Sequence, residues 1–369
     1  MRGLLKKKST RIVLLILVVA FASFWFVRPA QTPPLGSGEP MKAILYHAYG
    51  ASDVLHLEET QKPLLNDNQV LIKVRAAAVN PLDWHYMRGT PYILRVTGAG
   101  LRRPSDPRLG TDAAGQVEAI GKKVTQFKPG DEVFGAVGGA FAEYARAAEK
   151  NIVLKPANLT FEQAAAVPVA GLSALQALRD KGQLRSGQKV LINGASGGVG
   201  TFAVQIAKSF GADVTGVCST KNVDLVRSLG ADHVIDYTRE DFTQGAQRYD
   251  LILDNVENHS LSAYRRVMTP KGVYVLIGGG GPNDGHWLGP MAGPIKEAVY
   301  SPFVSQKFVM LLASIEKHDL MILHEMLESK KITPVIDRTY TLSEVPAAIA
   351  YLEAGHARGK VIIAVSRGD

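Results

Sequence analysis

Residues 190–200 read VLINGASGGVG, and the fold of the chain turns on this stretch. Val190, Leu191 and Ile192 form a short apolar run of the kind that makes a buried strand. The run empties into a glycine-rich turn, Gly194-Ala195-Ser196-Gly197-Gly198-Val199-Gly200. An apolar run with helical spacing follows, from Phe202 to Ala207. Strand, glycine turn and helix start together aim free backbone N–H groups and the positive end of a helix at one point. That is where a pyrophosphate sits in dinucleotide-binding folds. The glycine order departs from strict G-x-G-x-x-G, so the flanking elements must carry the reading. They do. A second strand at 214–217 closes a βαβ unit of about 30 residues.

The end of that second strand discriminates between dinucleotides. Folds that take NAD usually place an Asp or Glu there, on the ribose hydroxyls. This chain has Cys218-Ser219-Thr220-Lys221, and the next carboxylate along the chain is Asp224. A carboxylate would repel a 2′-phosphate, whereas two hydroxyls and an ammonium attract one. The expected cofactor is therefore NADPH.

Outward from this unit the pattern stays α/β. Strands are expected at 189–192, 213–217, 233–235, 251–253, 273–277 and 308–312, with helices at 201–210, 223–229 and 259–268 between them. Six strands with crossover helices make a doubly wound parallel sheet. Before it, residues 41–46 and 69–78 read as strands, and Asn80-Pro81 stops the second of them. Residues 88–108 form a long loop rich in Gly, Pro and Arg. After a helix at 319–330, β character returns at 335–337 and 361–365 around a helix at 343–353.

The first forty residues differ from the rest. Residues 1–11 are a basic flank, residues 12–27 are almost purely apolar, and residues 28–40 form a linker with four prolines. Sixteen helical residues span ~24 Å at 1.5 Å each, a little short of a ~30 Å hydrocarbon core. The basic flank and the aromatic Phe24-Trp25-Phe26 boundary favour a single N-terminal membrane anchor. Three alternatives stand beside it: a cleaved signal peptide with Ala20-Phe21-Ala22 as its site, a mitochondrial transit peptide, and a buried core helix. Charge bias would put the enzyme outside the cytoplasm, where NADPH is scarce, so the side of the membrane stays open.

Composition narrows the function. The chain has 369 residues, 46% hydrophobic and 21% charged, which suits a two-domain globular protein. Its net charge of +8 is concentrated at the N-terminus, where residues 1–40 hold six basic residues against Glu39. The remainder is close to neutral and shows no basic stripe with interleaved aromatics, so nucleic-acid binding has no support. The single cysteine, Cys218, excludes a disulfide framework and a cysteine-rich zinc lobe.

Five segments resemble the medium-chain dehydrogenase/reductase superfamily in its zinc-free quinone oxidoreductase branch. They are GTDAAGQVEAIG at 110–121, KPGDEVFG at 128–135, NGASGGVGTFAVQIAK at 193–208, LGADHVIDY at 229–237 and HARGKVII at 356–363. The resemblance covers about nine-tenths of the chain. The ASGGVG and HARGK segments are most similar to those of the mitochondrial reticulon-interacting NADPH oxidoreductases and their bacterial relatives. It implies a GroES-like β-rich catalytic domain built from residues 41–160 and 321–369, with a Rossmann domain, residues 161–320, inserted between. It also implies a homodimer. Zinc-dependent members carry a Cys after the second strand region and a His-Glu pair after the next glycine. Here Asn80-Pro81-Leu82-Asp83 and Gly110-Thr111-Asp112 stand at those places, so no metal is expected.

By the same resemblance the cofactor meets Ser196, Gly197, Gly198, Val199 and Gly200 at the pyrophosphate. Ser219 and Lys221 take the 2′-phosphate, and Tyr237 packs on the adenosine. Asn255, Gly278 and Gly279 follow at the strand ends, and His356, Ala357 and Arg358 complete the set. Val309 and Leu311, with Trp84, are expected to wall the pocket of nicotinamide and substrate. Asn80, Asp83 and Tyr86 lie on the turn that faces the cleft in this family and are the catalytic candidates. Tyr86 is placed to give a proton, Asn80 to orient a carbonyl; Asn80 and Asp83 equally suit bonds to turn backbone. The implied reaction is hydride transfer from NADPH to a quinone or an α,β-unsaturated carbonyl, acceptors that need no Lewis acid. Two alternatives remain. One is an enoyl-thioester reductase, with Arg102, Arg103 and Arg108 as a phosphate patch. The other is a membrane-tethered NADPH-binding partner protein without turnover.

Overall fold

A computed structural model describes residues 38–278 and 304–365. The apolar segment 12–27 and Gly279 lie outside the described residues. Among those described, no helix is long and apolar enough to cross a membrane.

The chain opens with an antiparallel pair, β1 (Pro40–Leu45) and β2 (His56–Gln61). The strands β3 (Gln69–Val79), β4 (Asp112–Ile120), β5 (Glu132–Ala136), β6 (Tyr144–Ala148) and β7 (Ile152–Leu154) then build an antiparallel sheet. Their small and β-branched residues alternate into one core, as in Val70, Ile72 and Val74 of β3, all buried.

The glycine-rich stretch sits in a second sheet. It contains β8 (Lys189–Asn193), β9 (Asp213–Cys218), β10 (His233–Asp236), β11 (Tyr249–Asp254), β12 (Met268–Ile277) and β13 (Lys307–Leu311). The order is β10-β9-β8-β11-β12-β13, and every pairing is parallel. The six expected strands are thus present in a doubly wound order. That order reverses between β8 and β11, which opens a crevice beyond their carboxyl ends, at Asn193 and Asp254.

Two further strands, β14 (Ile336–Thr341) and β15 (Lys360–Ala364), return to the first sheet, where β15 lies between β14 and β3. Val361 faces Val79 in the antiparallel register, so residue 360 comes opposite residue 80. The largest hydrophobic cluster joins the two sheets. Ala76, Ala78 and Phe134 of the first meet Leu172 and Leu175 of the helix Pro168–Gln176, Val190 of the second and Phe202 of the helix Gly198–Ser209. Each fully buried side chain of this size contributes roughly 1.5–3 kcal/mol.

Candidate active site

The glycine-rich turn is held by backbone. Gly194 takes a positive φ of 79°, and the Gly197 N–H donates to its carbonyl at 3.1 Å. Gly197 then caps the helix Gly198–Ser209 in extended conformation. The first-turn N–H groups of Gly198, Val199 and Gly200 have no acceptor within the helix, because the carbonyls they need lie before its start. A Cβ on Gly200 would overlap the Gly194 carbonyl oxygen. Backbone donors, positive helix end and closeness of approach converge here, as an anionic ligand requires.

The second anchor is the turn after β9. Ser219 is half-buried at the strand end, and Lys221 is exposed. Tyr237 is 55% exposed and is fixed through its backbone N–H to the Cys218 carbonyl, 3.0 Å. Sequence order hid a neighbour. Asp236 lies beside Cys218 in the β10–β9 register, and its carboxylate accepts the Thr220 hydroxyl at 2.6 Å and the Thr238 hydroxyl at 2.7 Å. The Thr220 bond leads in holding that carboxyl below its usual pKa range. The turn therefore does have a carboxylate beside it, brought by the next strand, but Thr220 and Thr238 occupy it. Of the two hydroxyls expected to meet a 2′-phosphate, Thr220 is committed to Asp236 and Ser219 remains.

At the topological switch point, Asn255 donates to the Asn193 carbonyl at 2.9 Å, while its Oδ1 is buried with no partner among the described residues. A buried amide oxygen left bare costs about 1–3 kcal/mol unless a ligand donates to it. Gly278, at the end of β12, has φ of +67°, and among the described residues a Cβ there would meet nothing within 4 Å. These features fit a dinucleotide lying across the carboxyl ends of the strands. The loop 355–359 closes on the same place. Gly359 donates to the Ser196 carbonyl at 2.9 Å and bridges Gly197. His356 and Arg358 are exposed beside it, and the Arg358 N–H is tied to Asp337 at 2.9 Å.

The catalytic candidates occupy two different settings. Asn80 and Asp83 are buried and form a capping box on the helix Pro81–Arg88. The Asp83 carboxyl accepts the Asn80 N–H at 2.7 Å and the Gly110 N–H at 3.2 Å. The side chain of Asn80 is occupied at both ends: its Nδ2 donates to Asp112 Oδ2 at 3.0 Å, and its Oδ1 accepts from Lys360 Nζ at 2.5 Å. Lys360 is 4% exposed and stands 3.7 Å from Asp112 Oδ2, and Asp112 is wholly buried, bonded also to the Val169 N–H at 3.1 Å. Burial raises the Asp83 pKa to about 7, raises that of Asp112, and lowers that of Lys360, each against the pull of its partners. Tyr86, on the same helix, has no bond to this cluster among those described and is 37% exposed.

Of the expected wall residues, Trp84 and Leu311 are buried and Val309 is half-buried. Trp84 is buried in the core of the first sheet. Leu311 is buried in the core that joins the sheets, with Val309 against it. Arg108 is drawn from the suggested phosphate patch by a bidentate pair with Asp106, at 2.8 and 2.7 Å. Sequence reasoning also passed over Lys360 and Asp112, although both sit inside quoted motifs. The available signal was a lysine opening the apolar run KVIIA, where a strand has no surface to offer it.

The cluster reaches the cofactor loop. A Cβ on Gly198 would lie 3.1 Å from the Lys360 Cδ, so the lysine stem packs against the first residue of the helix. One contact surface thus ties β3, β4, β15 and the glycine-rich turn together.

Comparison with known proteins agrees with this architecture. The family model for the "Alcohol dehydrogenase GroES-like domain" matches residues 66–157, and that for "Zinc-binding dehydrogenase" matches residues 229–363. The chain is 34% identical to the mitochondrial NAD(P)H oxidoreductase RTN4IP1 of Mus musculus, over 94% of this chain and 96% of that protein. The chain belongs to the medium-chain dehydrogenase/reductase superfamily. Within that superfamily it is also 35% identical to the chloroplastic NADPH-dependent alkenal/one oxidoreductase of Arabidopsis thaliana, over 88% of this chain and 79% of that one. The solved quinone oxidoreductase of Coxiella burnetii matches with a TM-score of 0.78 and 31% identity, covering 89% of this chain and all of the other. Among the described residues no group of three or more His, Cys, Asp or Glu side chains is placed to hold a metal ion.

Proposed function

We propose that this medium-chain reductase uses NADPH to reduce a quinone or an α,β-unsaturated carbonyl by direct hydride transfer, without a metal. The observation that carries the reading is the glycine-rich turn, whose three first-turn N–H groups have no acceptor within the helix, together with a β9 end that offers Ser219 and Lys221. Bound there, NADPH supplies the hydride. The chain's own residues do the rest. Gly198, Val199 and Gly200 bind the pyrophosphate through backbone, Ser219 and Lys221 bind the 2′-phosphate, and Tyr237 covers the adenosine. Asn255 Oδ1 accepts a hydrogen bond from the cofactor at the switch point.

Asn80 and Asp83 act as positioning residues in this scheme. With both ends of its amide bonded, Asn80 fixes the helix Pro81–Arg88 against Lys360 and so holds the floor of the cleft. Delivery of the proton that completes reduction falls to Tyr86 or to water, since Tyr86 alone of the three candidates is exposed. Conjugated acceptors suit such a site because their own π system takes up the electron pair.

The same reading assigns residues 41–160 and 321–369 to the catalytic domain and residues 161–320 to the cofactor domain. It places residues 12–27 as a membrane anchor, which suits a lipid-soluble acceptor, and it expects two copies to associate. A reporter fused after Asp369 reads out the side of the membrane. For the reaction itself, the full chain is supplied with NADPH or NADH and a panel of a quinone, an enone and an enoyl-CoA. Oxidation of NADPH by the quinone or enone is the expected result. Turnover confined to the enoyl-CoA would favour the thioester alternative, and tight binding without turnover on any acceptor would favour the binding protein.

A further inference from the structure

A buried amide joins the two phosphate anchors. Asn222 is 6% exposed and closes the 3-10 turn Thr220–Asn222, its backbone N–H donating to the Ser219 carbonyl at 2.9 Å. Its Nδ2 donates to Ser196 Oγ in the glycine-rich turn at 3.0 Å and to Ser219 Oγ at 3.3 Å. Its Oδ1 is buried with no partner among the described residues.

The direction of these bonds matters. An amide nitrogen has two hydrogens, and here each goes to one serine. Each serine hydroxyl therefore accepts from Asn222 and keeps its own proton to donate elsewhere. The reversed amide would take both hydroxyl protons and bury two N–H groups without acceptors. That is worse than the single bare carbonyl seen here, since a buried carbonyl tolerates being unpaired better than an N–H does. Both hydroxyls are thus preset as donors, the state that a phosphate oxygen needs.

We propose that Asn222 is a specificity-positioning residue of the cofactor site, presetting Ser196 as a donor to the pyrophosphate and Ser219 as a donor to the 2′-phosphate of NADPH. The inference rests on the assignment of Ser219 to that phosphate. It adds that the choice of NADPH over NADH passes through a residue that touches neither cofactor. The same amide also ties the turn carrying Lys221 to the glycine-rich turn, so the two anchors are set as one unit.

The test is direct binding to the full chain, by titration calorimetry with NADPH and with NADH, before any acceptor is added. Asn222→Asp keeps the shape but turns both hydroxyls inward and adds a negative charge. It is expected to lower the NADPH-over-NADH affinity ratio by about 10-fold or more, the size of one charge-assisted hydrogen bond. Asn222→Ala is expected to lower the ratio less. In a Ser219→Ala background, Asn222→Ala is expected to leave the ratio unchanged, because the hydroxyl it serves is gone. Melting of each variant without cofactor separates loss of fold from loss of preference. Equal weakening of both cofactors, or full additivity with Ser219→Ala, would overturn the role of Asn222. A wild-type chain that prefers NADH would overturn the phosphate assignment itself and the inference with it.

Discussion

The glycine-rich turn and the polar cluster at Lys360 touch at Gly198, yet they are built on opposite principles. The turn works through backbone, and its residues matter for what they lack. At Gly194 only glycine takes the positive φ without strain, and at Gly200 any side chain would strike the Gly194 carbonyl. The cluster works through side chains and matters for what it contains. Asn80 and Asp83 at one helix start, Asp112 and Lys360 come from three distant parts of the chain, gathered by strand register into a buried space. The comparison teaches that the turn shapes the ligand site, while the cluster fixes where that site stands relative to the other sheet. Damage to the turn should therefore fall mainly on binding, and damage to the cluster mainly on stability.

The largest effect is expected at Lys360. Lys360→Met removes the ammonium and leaves Asp112 and Asn80 Oδ1 without it, at a cost of about 3–5 kcal/mol, measured by denaturant unfolding. Adding Asp112→Asn should recover part of that loss, because the uncompensated carboxylate goes with it. A loss below about 0.5 kcal/mol, as is usual for surface changes, would mean that the pair does not hold the cluster together. Next is Gly200→Ala. Overpacking here is expected to cost about 1–3 kcal/mol, with NADPH affinity falling more steeply than for Lys360→Met. If the two variants weakened NADPH equally, the division between site shape and site placement would fail.

Lys221→Ala probes the exposed edge of the turn. It should weaken NADPH by about 10-fold, the worth of one hydrogen bond to a charged group, and leave NADH unchanged in parallel titrations. A further prediction concerns pH. The Asp83 carboxyl has a folded pKa raised by burial to about 7 against an ordinary value of 3.8. Between those values the folded chain keeps a proton that the unfolded chain releases. Stability from this group is therefore whole below pH 3.8 and is lost as pH rises toward 7. Asp83→Asn should flatten that part of the stability–pH curve, and an unchanged slope would show that Asp83 titrates normally.

The same contrast explains what could be read from the chain. The turn was legible because strand, glycines and helix are consecutive, and their periodicities survive in one dimension. All six strands of the parallel sheet were legible for the same reason. The cluster was not, because the residue 80–360 contact depends on β15 entering between β14 and β3, and no local pattern encodes that. Asp236 escaped for a related reason, since it lies beyond Asp224 in sequence but beside Cys218 across the sheet. The apolar character of Leu311 and Trp84 fits their burial, and no local pattern distinguishes core from pocket wall.

The central claim is that a hydride passes from NADPH, held on the glycine-rich turn, straight to a conjugated acceptor. NADPH carrying deuterium at the transferable position of its nicotinamide, incubated with the full chain and an enone, tests this most directly. A reduced product with one deuterium at the carbon β to the carbonyl is the expected result. NADPH consumed with no deuterium in the product would contradict it.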